Sequence, residues 1–113
     1  SYINGLLTDL NSPIRAGAAK IAWTLEYKPG GWQAIHNHAE QYKAISCVLC
    51  LEGEEESGTY YAMLPEPDGT QEIVVINQVP GTLIVSEGDV WHGSYPCTVG
   101  KKVYVFDFIQ EIL

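Results

Sequence analysis

All-β is the fold class this sequence predicts, and three observations carry the prediction. From Ala19 onward the chain is a succession of short runs rich in Ile, Val, Tyr and Trp. Turn residues punctuate these runs at Pro29-Gly30-Gly31, Gly53 to Gly58, Pro65 to Gly69, Pro80-Gly81 and Gly100, at intervals of about 10 to 15 residues, as expected of a sandwich or barrel. No repeat period, low-complexity tract or internal linker divides the succession, so the 113 residues are expected to form one domain spanning 1–113.

Each element follows from its own stretch. Residues 1–18 carry Ile3, Leu6, Leu7, Leu10 and Ile14, with Pro13 interrupting them; this suits a short helix or turn ahead of the strands. Strands are expected near 19–27, 32–37, 44–52, 58–64, 71–77, 82–86, 90–95 and 102–110. Eight strands in so short a chain predict a jelly-roll, or double-stranded β-helix. Glu52-Gly53-Glu54-Glu55-Glu56 reads as a solvated acidic turn between two of them.

Composition excludes several partner classes. With 46% hydrophobic and 18% charged residues the chain is too apolar to stay disordered. Its net charge of −8 leaves little with which to neutralise phosphates; neither nucleic acid nor an anionic membrane is an expected partner. No apolar run reaches the roughly 18 residues of a membrane span, and Ser1-Tyr2-Ile3-Asn4 has no signal-peptide character, so a cytoplasmic protein is expected. Cys47 and Cys50 lie three apart in the apolar run Ala44 to Leu51. Residues three apart on a strand point to opposite faces, so this spacing predicts buried thiols and no shared metal. Cys97 follows Pro96 in a loop, and no neighbouring base marks it as reactive.

The three histidines point elsewhere. His36 and His38 are two apart where a strand meets a turn, hence on one face, as a chelating pair must be. His92 occupies a similar junction far downstream, eleven residues after Gly81. Together they predict a metal site. Imidazoles suit Fe, Zn, Cu or Ni, and a mixed histidine and carboxylate set with open positions favours non-haem Fe(II).

From about Trp23 to Ile109 the chain resembles the 2-oxoglutarate and Fe(II)-dependent dioxygenases of the prolyl-4-hydroxylase type. Tyr27-Lys28-Pro29-Gly30-Gly31-Trp32-Gln33-Ala34-Ile35-His36-Asn37-His38 looks like the segment in which a Tyr and a Gly-Gly turn precede the His-x-Asp metal motif. Gly81 to His92, followed by Pro96, Gly100, Lys101 and Lys102, keeps the family's spacing of glycine, distal histidine, proline, glycine and basic residue. The resemblance implies His36 and His92 as metal ligands, Fe(II) as the metal, 2-oxoglutarate as co-substrate, and a small-molecule or peptide substrate. A cation is needed for the far carboxylate of the co-substrate. Lys102, ten residues after His92, matches the family spacing, and Lys101 is its rival. If Lys102 faces in, Tyr104 and Phe106 follow it; if Lys101 faces in, Val103 and Val105 follow. Tyr27 is expected to add a hydroxyl to the same carboxylate.

One departure matters: His38 stands where the family has Asp. It leaves open a three-histidine site, a site completed by Glu40 or another acid, or a lapsed site with the fold retained. The same residues also resemble the cupins. Gly30, five residues, then His36-Asn37-His38 looks like the first cupin motif, and Gly81 to His92 fits the second. The cupin glutamate after His38 is absent, since Tyr42 and Lys43 stand there, and Glu87 replaces the second motif's usual proline. In that reading three histidines are the norm, and the chain is a cupin-like metal-binding barrel or a catalytically lapsed one that binds a small ligand without oxidising it. The dioxygenase resemblance also implies N-terminal helices on the outer face of the larger sheet. With about 18 residues ahead of the first strand here, two alternatives stand open: a partner subunit, such as a second copy of the chain in a homo-oligomer, covers that face, or the chain is a minimal barrel.

Overall fold

The computed structural model describes residues 2–37, 43–53, 58–77 and 79–112. Among the described residues one helix, α1 (Tyr2–Asp9), precedes eight strands: β1 (Ile14–Tyr27), β2 (Gln33–His36), β3 (Ala44–Glu52), β4 (Thr59–Ala62), β5 (Ile73–Ile76), β6 (Leu83–Glu87), β7 (Trp91–Ser94) and β8 (Lys101–Ile112). They form two four-stranded sheets, of order β1-β8-β3-β6 and β2-β7-β4-β5, with antiparallel neighbours throughout. Apart from the β4–β5 hairpin, consecutive strands alternate between sheets, the jelly-roll arrangement that the strand count predicts. The acidic turn expected at Glu54 to Glu56 lies outside the described residues.

Strand β8 organises the larger sheet, because it pairs with β1 on one side and β3 on the other. Lys101, Val103, Val105 and Asp107 are buried on its inner face, while Lys102, Tyr104, Phe106 and Phe108 alternate with them on the outer one. Cys47 partners Phe106 and Cys50 partners Val103, which puts the two thiols on opposite faces.

The outer face holds the main apolar cluster. Ile3 and Leu7 of α1 pack there on Ala16, Ile45 and Cys47, with Val85, Phe106 and Phe108 alongside. Polar contacts fix the helix in place: the Asn4 side chain donates to the Ala16 carbonyl at 3.0 Å and accepts from the Ala16 amide at 2.7 Å. The helix ends at Asn11, whose φ of 54° is a left-handed conformation that asparagine tolerates. Just beyond it the Ser12 hydroxyl accepts from the Ile14 amide at 3.2 Å.

β1 begins at Ile14, earlier than the expected 19. Residues 14–19 are poor in β-branched side chains, and their strand character comes from pairing with Gln110 to Ile112 and Phe108 through two register shifts; tertiary pairing overrides local propensity here. The helix covers part of the face for which the sequence left open a partner subunit or a minimal barrel.

Candidate functional site

His36, at the end of β2, and His92, in β7, are direct cross-strand partners. Their ring centroids lie 4.4 Å apart. Each Nδ1 sits on a main-chain carbonyl two residues back, His36 on Ala34 at 2.9 Å and His92 on Val90 at 2.8 Å. A carbonyl can only accept, so each Nδ1 carries a proton, and in the neutral ring the lone pair is then on Nε2, as in metal-ligating histidines whose other ring nitrogen donates to the main chain. His92 is buried and His36 partly so. The ring of Tyr61, from β4, flanks His92 at 5.4 Å between centroids.

His38 and Glu40, the remaining candidate ligands, lie outside the described residues. Among the described residues no group of three His, Cys, Asp or Glu side chains is placed to hold a metal. The structure therefore brings together two of the three expected histidines.

A bulge shapes β2. Gln33 pairs with Ser94 and His36 with His92, and the register shifts between them. Two residues three apart thus both line the interior cavity, where a regular strand would turn one of them outward. Gln33 is the residue that period-2 reading of the sequence passes over. Ser94 carries a readable signal, since it stands two after His92 and shares its face.

The opposite end of the cavity is built by a clasp between two loops. The turn Lys28 to Gly31 is locked to Cys97: the Gly30 amide donates to the Cys97 carbonyl at 2.6 Å and the Cys97 amide to the Gly31 carbonyl at 3.2 Å. The buried Cys97 thiol also faces the Lys28 carbonyl at 3.4 Å; it is a packing element of the turn. Gly100 then swings the chain into β8 at φ 96°, where a Cβ would stand 3.0 Å from the Tyr27 carbonyl.

Lys101 is thereby turned inward. It is 3% exposed, its Nζ donates to the Ser94 hydroxyl, and the ammonium lies 4.7 Å from the Tyr27 ring centroid. Burial pulls its pKa below the ordinary lysine value, with the nearby Cys97 and Cys50 acting in the opposite sense. The Tyr27 hydroxyl donates to Gln33 Oε1 at 2.9 Å, and burial raises its pKa, with Ser94 opposing.

Lys102, the residue with the family spacing, takes the other face. It stands between Glu26 of β1 and Glu52 of β3 in register, on the side of Tyr104 and Phe106. Its assignment to the cavity is corrected by that register; Val103 and Val105 follow Lys101 inward and line the cavity with it.

Between the histidine pair and Lys101 lies a cavity of about 40 Å³, walled by both sheets. That volume admits roughly three waters. It carries imidazoles at one end, an ammonium and a phenol at the other, and aliphatic walls between. Such a cavity can hold a divalent metal at one end and a carboxylate at the other. Among the described residues no helix is long and apolar enough to cross a membrane.

No family model matches the chain, and no curated protein matches it. Solved structures do resemble its fold. A 2OG-Fe(II) oxygenase family oxidoreductase from Burkholderia pseudomallei superposes with a TM-score of 0.68 at 15% identity, over 80% of this chain and 42% of its own. A prolyl-4-hydroxylase from Pseudomonas putida gives 0.59 at 22% identity, over 78% of this chain and 50% of its own. The apo form of the non-heme monooxygenase ThoJ gives 0.68 at 17% identity, over 97% of this chain and 53% of its own. The chain spans about half the length of these proteins. Its fold is the jelly-roll found in 2-oxoglutarate and Fe(II) oxygenases.

Proposed function

We propose that the chain forms the barrel of a non-haem Fe(II) and 2-oxoglutarate-dependent oxygenase that hydroxylates a prolyl peptide or a small metabolite. The observation that carries this reading is the pairing, in one cavity, of two backbone-oriented imidazoles with an inward-facing lysine. His36 and His92 supply two ligands through Nε2. His38 supplies the third from a segment outside the described residues, in place of the family's carboxylate. Bound Fe(II) and 2-oxoglutarate supply O2-dependent oxidation, in which the co-substrate leaves as succinate and carbon dioxide.

The chain's own residues bind and orient. The Lys101 ammonium takes the distal carboxylate by a charge-assisted hydrogen bond, and Tyr27 adds a hydroxyl beside it. A ten-atom diacid exceeds a cavity of about 40 Å³, so its binding requires the flexible Lys101 side chain to leave Ser94 and follow the carboxylate. Val103 and Val105 keep water from the path between the two ends. A third histidine adds one positive charge relative to the usual triad and shifts metal preference accordingly. Three cysteines with no disulfide suit a reducing cytoplasm.

Metal titration of variants tests the reading. His36→Ala and His92→Ala are each expected to abolish tight divalent-metal binding, His38→Ala to weaken it, and His38→Asp to retain or raise Fe(II) affinity. Equal affinity in all four variants and the parent refutes the ligand assignment. The small cavity favours one second reading, a cupin-like metal-binding barrel for a smaller ligand. Succinate formation from 2-oxoglutarate under O2 separates the two.

A further inference from the structure

β1 is the terminal strand of the larger sheet, so among the described residues no strand lies along its second edge. The Asn4 side chain of α1 caps the start of the strand by bonding both the amide and the carbonyl of Ala16. Beyond that cap the side chains from Ala18 to Ala22 are exposed, as are Thr24 and Glu26. From Ile21 to Tyr27 the strand runs against Asp107 to Lys101 with no further shift of register. A long, regular, exposed edge is a template for one more strand.

The charges of the outer face select that strand. One row there runs through Glu52 of β3, Lys102 of β8 and Glu26 of β1, alternating in sign. The place beyond Glu26 suits a cation, because opposite charges on neighbouring strands attract and like charges repel. β1 itself carries a cation on that face: Lys20 stands six residues before Glu26 and lines an outer-face groove with Tyr104, Phe106 and Phe108. Within one chain the two lie about 20 Å apart along the strand, too far to meet. A second copy laid antiparallel about a two-fold axis at Trp23 brings them together. Trp23 then faces its own counterpart, Ala22 faces the partner's Thr24, Ile21 the partner's Leu25, and Lys20 the partner's Glu26, with every contact repeated by symmetry. Moving the axis one residue to Thr24 sets Lys20 against the partner's Lys28, and moving it to Ala22 sets Lys20 against the partner's Thr24. Charge therefore favours the register centred on Trp23.

We propose that two copies of the chain join β1 to β1 about this axis, so that two four-stranded sheets become one of eight strands. The contact also reaches the cavity. Ile21 shares the inner face of β1 with Trp23 and Leu25, which line the cavity, and it is 54% exposed in the single chain. In the pair, the partner's Ile21 covers Leu25 from the open side of the strand. The dimer needs neither metal nor co-substrate, so it stands apart from the oxygenase reading.

Sedimentation equilibrium of the chain across the micromolar range tests the proposal, with circular dichroism to confirm that each variant folds. The parent is expected to be a dimer. Lys20→Glu and Glu26→Lys each set like charges against one another in both symmetric pairs, so each alone should raise the dissociation constant about tenfold. An equimolar mixture of the two variants should recover most of the lost affinity, because both pairs across the interface are then of opposite charge. Ile21→Lys, at an exposed position, should leave a folded monomer, whereas Ile73→Lys on the smaller sheet should leave the dimer unchanged. A monomeric parent, a dimer that Lys20→Glu and Ile21→Lys leave intact, a dimer broken by Ile73→Lys, or a mixture that associates no better than either charge variant overturns the proposal. Should Ile21→Lys not fold, the charge variants and their mixture decide.

Discussion

Lys101 and Lys102 are neighbours with opposite fates, and the difference lies in a single step of register. Lys101→Met keeps most of the side-chain bulk and removes the charge, so 2-oxoglutarate affinity of the metal-loaded protein should fall by about 1.5 to 3 kcal/mol, roughly ten- to a hundredfold. Lys102→Met should change it hardly at all, and isothermal titration of both variants checks the pair. The buried ammonium also makes a pH prediction. Burial holds its pKa in the folded chain below the ordinary lysine value of 10.5, so between the two values the unfolded chain holds more protons than the folded one. Stability must then rise with pH across that alkaline window. Urea denaturation at stepped pH should show the rise in the parent and lose it in Lys101→Met.

Sequence reading found His36 and His92 because both sit where a strand meets a turn and because the family motifs mark them. It left Lys101 and Lys102 open because register is set by Gly100 and the Cys97 clasp, contacts between loops 66 or more residues apart. Gln33 escaped because a bulge breaks the period-2 rule at that point.

At the scale of elements, the site depends on how closely β2 approaches β7. A Cβ on Gly93 would meet the Tyr60 side chain and stand 2.9 Å from the Gln33 carbonyl. Gly93→Ala must push β2 away, which should cost about 1–3 kcal/mol of stability and weaken metal binding without touching a ligand. Thermal unfolding with and without metal reads both effects. Leu7→Ala makes the converse case. It opens a cavity under α1 on the outer face, so it should cost about 2–4 kcal/mol while leaving metal affinity unchanged.

The strands themselves were legible from apolar runs between glycine and proline turns, and all eight stand within a few residues of expectation except at the start of β1. That start is Ala-rich and becomes strand only through its partner β8. The docking of α1 was equally invisible, since five scattered apolar residues suit a turn as well as a helix.

For the whole molecule, the jelly-roll brings residues from distant strands to one cavity. Its larger sheet contributes Lys101 and Tyr27, its smaller sheet the histidines, and the space between them is the proposed co-substrate path. What the sequence could not supply is the orientation of the two sheets' facing residues, because that depends on pairings made across most of the chain. The central claim is that metal and 2-oxoglutarate bind together in this cavity. Anaerobic titration of the Fe(II)-loaded protein with 2-oxoglutarate, followed by the metal-to-ligand charge-transfer absorption of the chelate, tests it most directly. The account predicts a saturable band that vanishes in His92→Ala and needs ten- to a hundredfold more 2-oxoglutarate in Lys101→Met; a flat titration of the parent protein would contradict it.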